Sequence, residues 1–227
     1  MEPVSLNPFS KIAIPKSASN VNFDCDLNPY RSHADFEQQA NALVEERIKQ
    51  GDFLGVAVGY YHERCGSYVS GAGFSSKRKQ LPINSNTLMR AASITKPMTA
   101  IAIMQLYENG ILDLDVPIQK YLKNFPVKAK GEITIRHLLK HTSGIPHYAS
   151  KWEALSFSDY PTLNAATAIF NHKELEFTPG TQYLYSSYGY TILGAIIEEV
   201  TQMSYEEYMR KNVWEMAGMS DTGLEKN

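Results

Sequence analysis

The chain has 227 residues, 43% of them apolar, enough for a sizeable core in one large domain or two small ones. Its 22 basic and 24 acidic side chains leave a formal charge of -2, which gives no electrostatic case for binding nucleic acid or an anionic membrane. No stretch approaches the ~18 consecutive apolar residues of a transmembrane helix, so no membrane span is expected.

Residues 1–34 are rich in Pro, Asn and Ser and read as an N-terminal arm. They lack a basic stretch followed by an apolar one, so no secretory leader is expected, and the protein reads as cytoplasmic if this is its native start. Residues 35–90 read as one helix and two strands. In Asp35–Gln50, Phe36, Ala40, Leu43, Val44 and Ile48 have helical spacing, and Gly51 is a natural stop. Leu54–His62 and Ser67–Phe74 are strand-like, with Glu63–Gly66 as a hairpin turn. Gly71-Ala72-Gly73 suits a bulge or a close approach of backbone, since Ser76 stands where a nucleotide loop needs glycine.

Residues 91–227 read as mainly helical. Met98–Tyr107 is apolar almost all round, which predicts a buried helix closed by Asn109-Gly110. Further helices are expected from Thr134 to Gly144, near Leu163–Phe170 and over Tyr188–Thr201. The last is expected to open on a Ser204/Glu207 capping box and end before Gly218. Cys25 and Cys65 form no CxxC and read as two free thiols, with a single disulfide as the alternative.

Ser93 and Lys96 are three residues apart at the start of the apolar helix, which puts them on one face. A serine hydroxyl needs a base to become a nucleophile, and an amine desolvated by apolar surroundings can be one. The helix start also offers N–H groups to a developing oxyanion. SxxK alone is a weak signal, and its plain alternative is a serine cap with a surface lysine. His137 and His141 have the spacing of a zinc helix, but Leu138 replaces the glutamate of HExxH and no third ligand is placed, so packed or capping histidines are expected.

The longer runs carry more. TLMRAASITKPMTAIAIMQLYENGILDLDVPIQKYL, EITIRHLLKHTSGIPHY, FTPGTQYLYSSYGYTILGAIIEEVTQMSYEEYM and WEMAGMSDT resemble, in order, the serine beta-lactamase and penicillin-binding-protein superfamily. The string YLYSSYGYTILG looks most like the mitochondrial beta-lactamase-like serine protease branch. The resemblance implies an α/β (α+β) sandwich, an antiparallel sheet beside a helical domain, forming a single structural unit. It implies a serine hydrolase that forms an acyl-enzyme on a peptide, ester or beta-lactam, without metal or organic cofactor. Carried over by motif, it makes Ser93 the nucleophile, and Lys96 and Tyr185 the proton-transfer partners. Ser187 becomes a substrate-binding residue, standing where many relatives carry asparagine.

No KTG, KSG or His-x-Gly motif follows Tyr185. In relatives that motif lies on a later strand, so the C-terminal strands are expected to be missing here. On that expectation the chain is an inactive fragment needing its C-terminal part, with an exposed sheet edge open to self-association. The rival reading from another class is a catalytically silent binding or scaffold protein of the same fold.

Overall fold

The computed structural model describes residues 33–62, 66–76, 78–150, 153 and 160–225. The chain divides into two units between Met89 and Arg90. Cys25, Cys65 and the expected turn residues 63–65 lie outside the described residues.

In the first unit, α1 spans His33–Lys49 and stops before Gly51, whose φ of 81° suits a residue without a side chain. Strands β1 (Gly55–His62) and β2 (Gly66–Ser76) pair antiparallel from Gly55↔Gly73 to His62↔Gly66. Along β1, half-buried Val56 and Val58 alternate with exposed Ala57 and Gly59, the period of two that a one-sided sheet requires. A third strand, β3 (Leu81–Pro82), joins the other edge of β2 through an irregular register at Phe74/Ser76. Two residues are too few to show alternation, so this strand has no signature in the sequence. The expected close approach at Gly71–Gly73 is present. A Cβ on Gly71 would lie 2.7 Å from the buried Ile83 side chain, and one on Gly73 2.4 Å from the Leu54 carbonyl.

In the second unit, a 3-10 turn (Ala92–Ile94) leads into α2 (Thr95–Glu108). After it come α3 (Ile135–Leu139), α4 (Leu163–Ala166) continued by a 3-10 turn to Ile169, α5 (Ser187–Thr201) and α6 (Tyr205–Met209). A π turn at Arg210–Trp214 follows α6. The core gathers on α5, where Ile192, Leu193, Ile196 and Ile197 are wholly buried, each contributing roughly 1.5–3 kcal/mol. Ile103, Leu106, Ile135, Leu138, Phe170 and Met209 close around them. The Glu198 carboxylate accepts the N–H of Leu163 at 2.7 Å and that of Tyr205 at 3.1 Å, so one side chain caps the first residues of both α4 and α6. The expected capping box of Ser204 with Glu207 forms, and the Thr134 cap proves to be a second box, closed by His137.

Two expectations fail. Helix α2 is not buried all round. Thr99, Ala102, Ile103 and Leu106 face α5, α6 and the π turn, while Ile101 and Tyr107 remain 51% and 42% exposed. Apolar residues occupy both faces, so the sequence pattern hides which one is covered. Helix α3 ends at Leu139 rather than running to Gly144, because His141 turns left-handed at φ 56°. Gly144 does the same at φ 75°, against the Phe177 carbonyl. No helix among the described residues is long and apolar enough to cross a membrane.

Candidate active site

Ser93 lies on the exposed 3-10 turn just before α2, and Lys96 follows in the first turn of the helix. The geometry brings all four residues singled out in the sequence together. Lys96 Nζ donates to Ser93 Oγ at 3.1 Å and to Ser187 Oγ at 3.1 Å. Tyr185 OH donates to Ser93 Oγ at 2.8 Å. Its phenol is also packed, with Lys96 Nζ 4.8 Å from the ring centre. The residue before the serine, Ala92, has φ 45°, a left-handed conformation costing an L-residue about 1–2 kcal/mol.

Tyr185 ends an extended stretch that enters α5. Ser186 is the N-cap of that helix. Its buried hydroxyl accepts the Gly189 N–H at 3.2 Å and donates to the Pro146 carbonyl at 2.9 Å. Burial pushes the Tyr185 phenol up, but Lys96, by hydrogen bonding and by charge, and the Ser93 and Ser187 hydroxyls outweigh it. The net effect holds the phenol below its ordinary value.

Three further residues line this cluster. His141 Nδ1 accepts the Ser186 N–H, and His147 Nδ1 accepts the Ser187 N–H, both at 3.2 Å. The Tyr148 hydroxyl lies 3.3 Å from Ser187 Oγ. His147 and Tyr148 close the quoted string EITIRHLLKHTSGIPHY, but nothing in their spacing shows a partner some 40 residues later. Behind them Tyr188 stacks on Phe170 and donates to Glu153 at 3.1 Å. Burial and that carboxylate push its phenol up to about 12. It therefore stays protonated.

The histidine pair does not converge as a metal site. His137 Nδ1 accepts the Thr134 N–H in the capping box of α3, while His141 faces Tyr185. No group of three or more His, Cys, Asp or Glu among the described residues could hold a metal ion.

A serine hydroxyl meeting a lysine and a phenol at a helix start defines a candidate serine-hydrolase site, carried on an α+β fold. The chain belongs to the beta-lactamase family, whose model matches residues 40–227. It is 34% identical over 158 residues to penicillin-binding protein 4* of Bacillus subtilis (strain 168), covering 68% of this chain and 34% of that protein. It is 28% identical to the human mitochondrial serine beta-lactamase-like protein LACTB, covering 69% of this chain and 41% of that one. The structure of the octameric penicillin-binding protein homologue from Pyrococcus abyssi superposes with a TM-score of 0.70 at 31% identity, over 81% of this chain and 43% of that chain. The antiparallel sheet and helical region thus have the beta-lactamase/transpeptidase-like architecture. The chain spans about a third to two fifths of the length of these curated relatives.

Proposed function

We propose that this chain carries the nucleophile and proton-transfer residues of a serine hydrolase that works through an ester on Ser93. The convergence of Tyr185 OH and Lys96 Nζ on Ser93 Oγ, at 2.8 and 3.1 Å, is the observation that carries this reading. In the reactive form Tyr185 is the phenolate, steadied by the Lys96 ammonium. It takes the Ser93 proton as Oγ bonds to the acyl carbon. The N–H groups at the start of α2 offer the developing oxyanion positive charge. Tyr185 then returns the proton to the departing amine or alcohol as the C–N or C–O bond breaks. Water repeats the exchange, with Tyr185 as base, and frees the acid and the serine.

The acyl donor is a small molecule or peptide: a peptide, an ester or a beta-lactam. Ser187, held between Lys96 and Tyr148, offers it a donor and an acceptor where many relatives offer an amide. No metal or organic cofactor takes part in this scheme. The string YLYSSYGYTILG favours the mitochondrial branch of the family. The edge of β1 that pairs with no strand among the described residues is the place to look for self-association.

Labelling tests the reading against a silent scaffold of the same fold. In a version of the protein that carries the C-terminal strands, a fluorophosphonate or penicillin probe should attach to Ser93 and should not attach in Ser93→Ala. Undiminished labelling of the variant would remove Ser93 as nucleophile.

A further inference from the structure

The two residues after Tyr185 hand their backbone N–H groups to imidazoles rather than to carbonyls. Ser186 donates to His141 Nδ1 and Ser187 to His147 Nδ1, each at 3.2 Å. The same two rings flank the phenol, His141 tilted at 4.6 Å between centroids and His147 edge-on at 5.5 Å. The histidines come from two points of one loop, His141 at its left-handed start and His147 just beyond Pro146, whose carbonyl takes the Ser186 hydroxyl.

We propose that His141 and His147 are positioning residues, which as neutral imidazoles with the proton on Nε2 hold the Tyr185-Ser186-Ser187 segment in register with Ser93. The proposal rests on the reading of Tyr185 as proton carrier. An imidazole nitrogen accepts a hydrogen bond only when it carries no proton, so both bonds require the Nε2–H tautomer. Protonation turns each acceptor into a donor facing another N–H. The bond is then lost and the phenol is released from one side.

Of the groups facing these rings, the Lys96 charge opposes that protonation. His141 meets Lys96, His147 and the phenols of Tyr183, Tyr185 and Tyr190, and His147 meets Lys96, Tyr148 and Tyr185. Burial, then the Lys96 charge, hold both imidazoles below the ordinary histidine range. Both shifts favour the neutral, accepting form of the ring.

The consequence is kinetic. Below the phenol's own titration, log kcat/KM should fall with a slope of about one, and it should steepen by about one for each histidine that becomes charged. The two histidines influence each other, so their steps belong to the pair. His147→Phe keeps a ring against Tyr148 but has no acceptor. It should lose roughly tenfold to a hundredfold in kcat at every pH, with a smaller change in KM. His147→Asn restores an acceptor in the place of Nδ1 that cannot be protonated. It should recover most of the loss and remove one step from the acid limb.

Nitrogen NMR of the histidine rings gives a test that needs no turnover. Both rings should show the Nε2–H tautomer near neutral pH, and the Ser186 and Ser187 amides should titrate with them. A proton on Nδ1 in either ring, or equal activity and equal acid slopes for His147→Phe, His147→Asn and the unaltered protein, would overturn the proposal. Failure of Ser93 to take a probe while the ring tautomers and amide titration are as expected would defeat the serine reading and leave the positioning role standing.

Discussion

The turn that carries Ser93 and the segment that carries Tyr185 meet across 2.8 Å, yet they are held by different means. Residues 92–94 are exposed, have no side-chain cap and begin with a left-handed alanine. The Tyr185 side is braced at every residue: rings flank the phenol, the Ser186 hydroxyl is buried between two backbone partners, and two imidazoles take the N–H groups that follow. A group that must bond to substrate needs room around it. A group that only moves protons gains from being fixed, since misplacement by about 1 Å can cost a hundredfold in rate. The contrast predicts that changes on the serine side alter rate and spare stability, while changes on the tyrosine side alter both.

The largest effect should come from the proton carriers. Tyr185→Phe and Lys96→Ala should each lower kcat by roughly 10²-fold or more, and the double variant should be little worse than either, because residues acting as a unit are not additive. Steady-state kinetics on a reporter ester decides this, and near-normal turnover in Tyr185→Phe would move the base elsewhere.

Next is Ser186→Ala, which removes the cap of α5 and leaves the Pro146 carbonyl without its donor. It should cost about 2–3 kcal/mol of folding stability. A urea midpoint unchanged from the unaltered protein would show that the brace carries no weight.

Acid should weaken the fold around α3 and the Tyr185 segment gradually. His137, His141 and His147 are all held below the ordinary histidine value, first by burial. The unfolded chain therefore takes up protons first, below about pH 6.5, while the folded chain resists. Stability is full above that value and declines as pH falls from it toward the folded values. Denaturation curves at successive pH values measure this, and a stability that rises over that interval would contradict the assignment.

The smallest effect belongs to the serine side. Ala92→Gly relieves the left-handed strain and should stabilise by about 0.5–1 kcal/mol, less what glycine's freedom costs the unfolded chain. A destabilised variant would mean that the Ala92 methyl group has a packing role.

What could be read in the sequence follows from the range of each interaction. The caps at Ser204/Glu207 and Thr134 are local, and both are visible as patterns three residues long. Ser93 and Lys96 share a helix turn, so their meeting was legible, whereas the closure with Tyr185, 92 positions away, rested on resemblance to the family. His147 and Tyr148 were in plain sight without a role, because their partner Ser187 is reached only through the fold. The exposed face of α2 is not legible in the sequence, since apolar composition does not say which neighbours arrive. Strand β3 is too short to carry any period.

Glu198 receives the first N–H of α4 and the first N–H of α6 on its two oxygens. Two helices separated by the whole of α5 thus share one fastening. Neither amide can be released by rotation of that side chain without releasing the other. In hydrogen–deuterium exchange, Leu163 and Tyr205 should therefore open in concert, with a common protection factor, as members of one cooperative unit rather than as independently fraying ends.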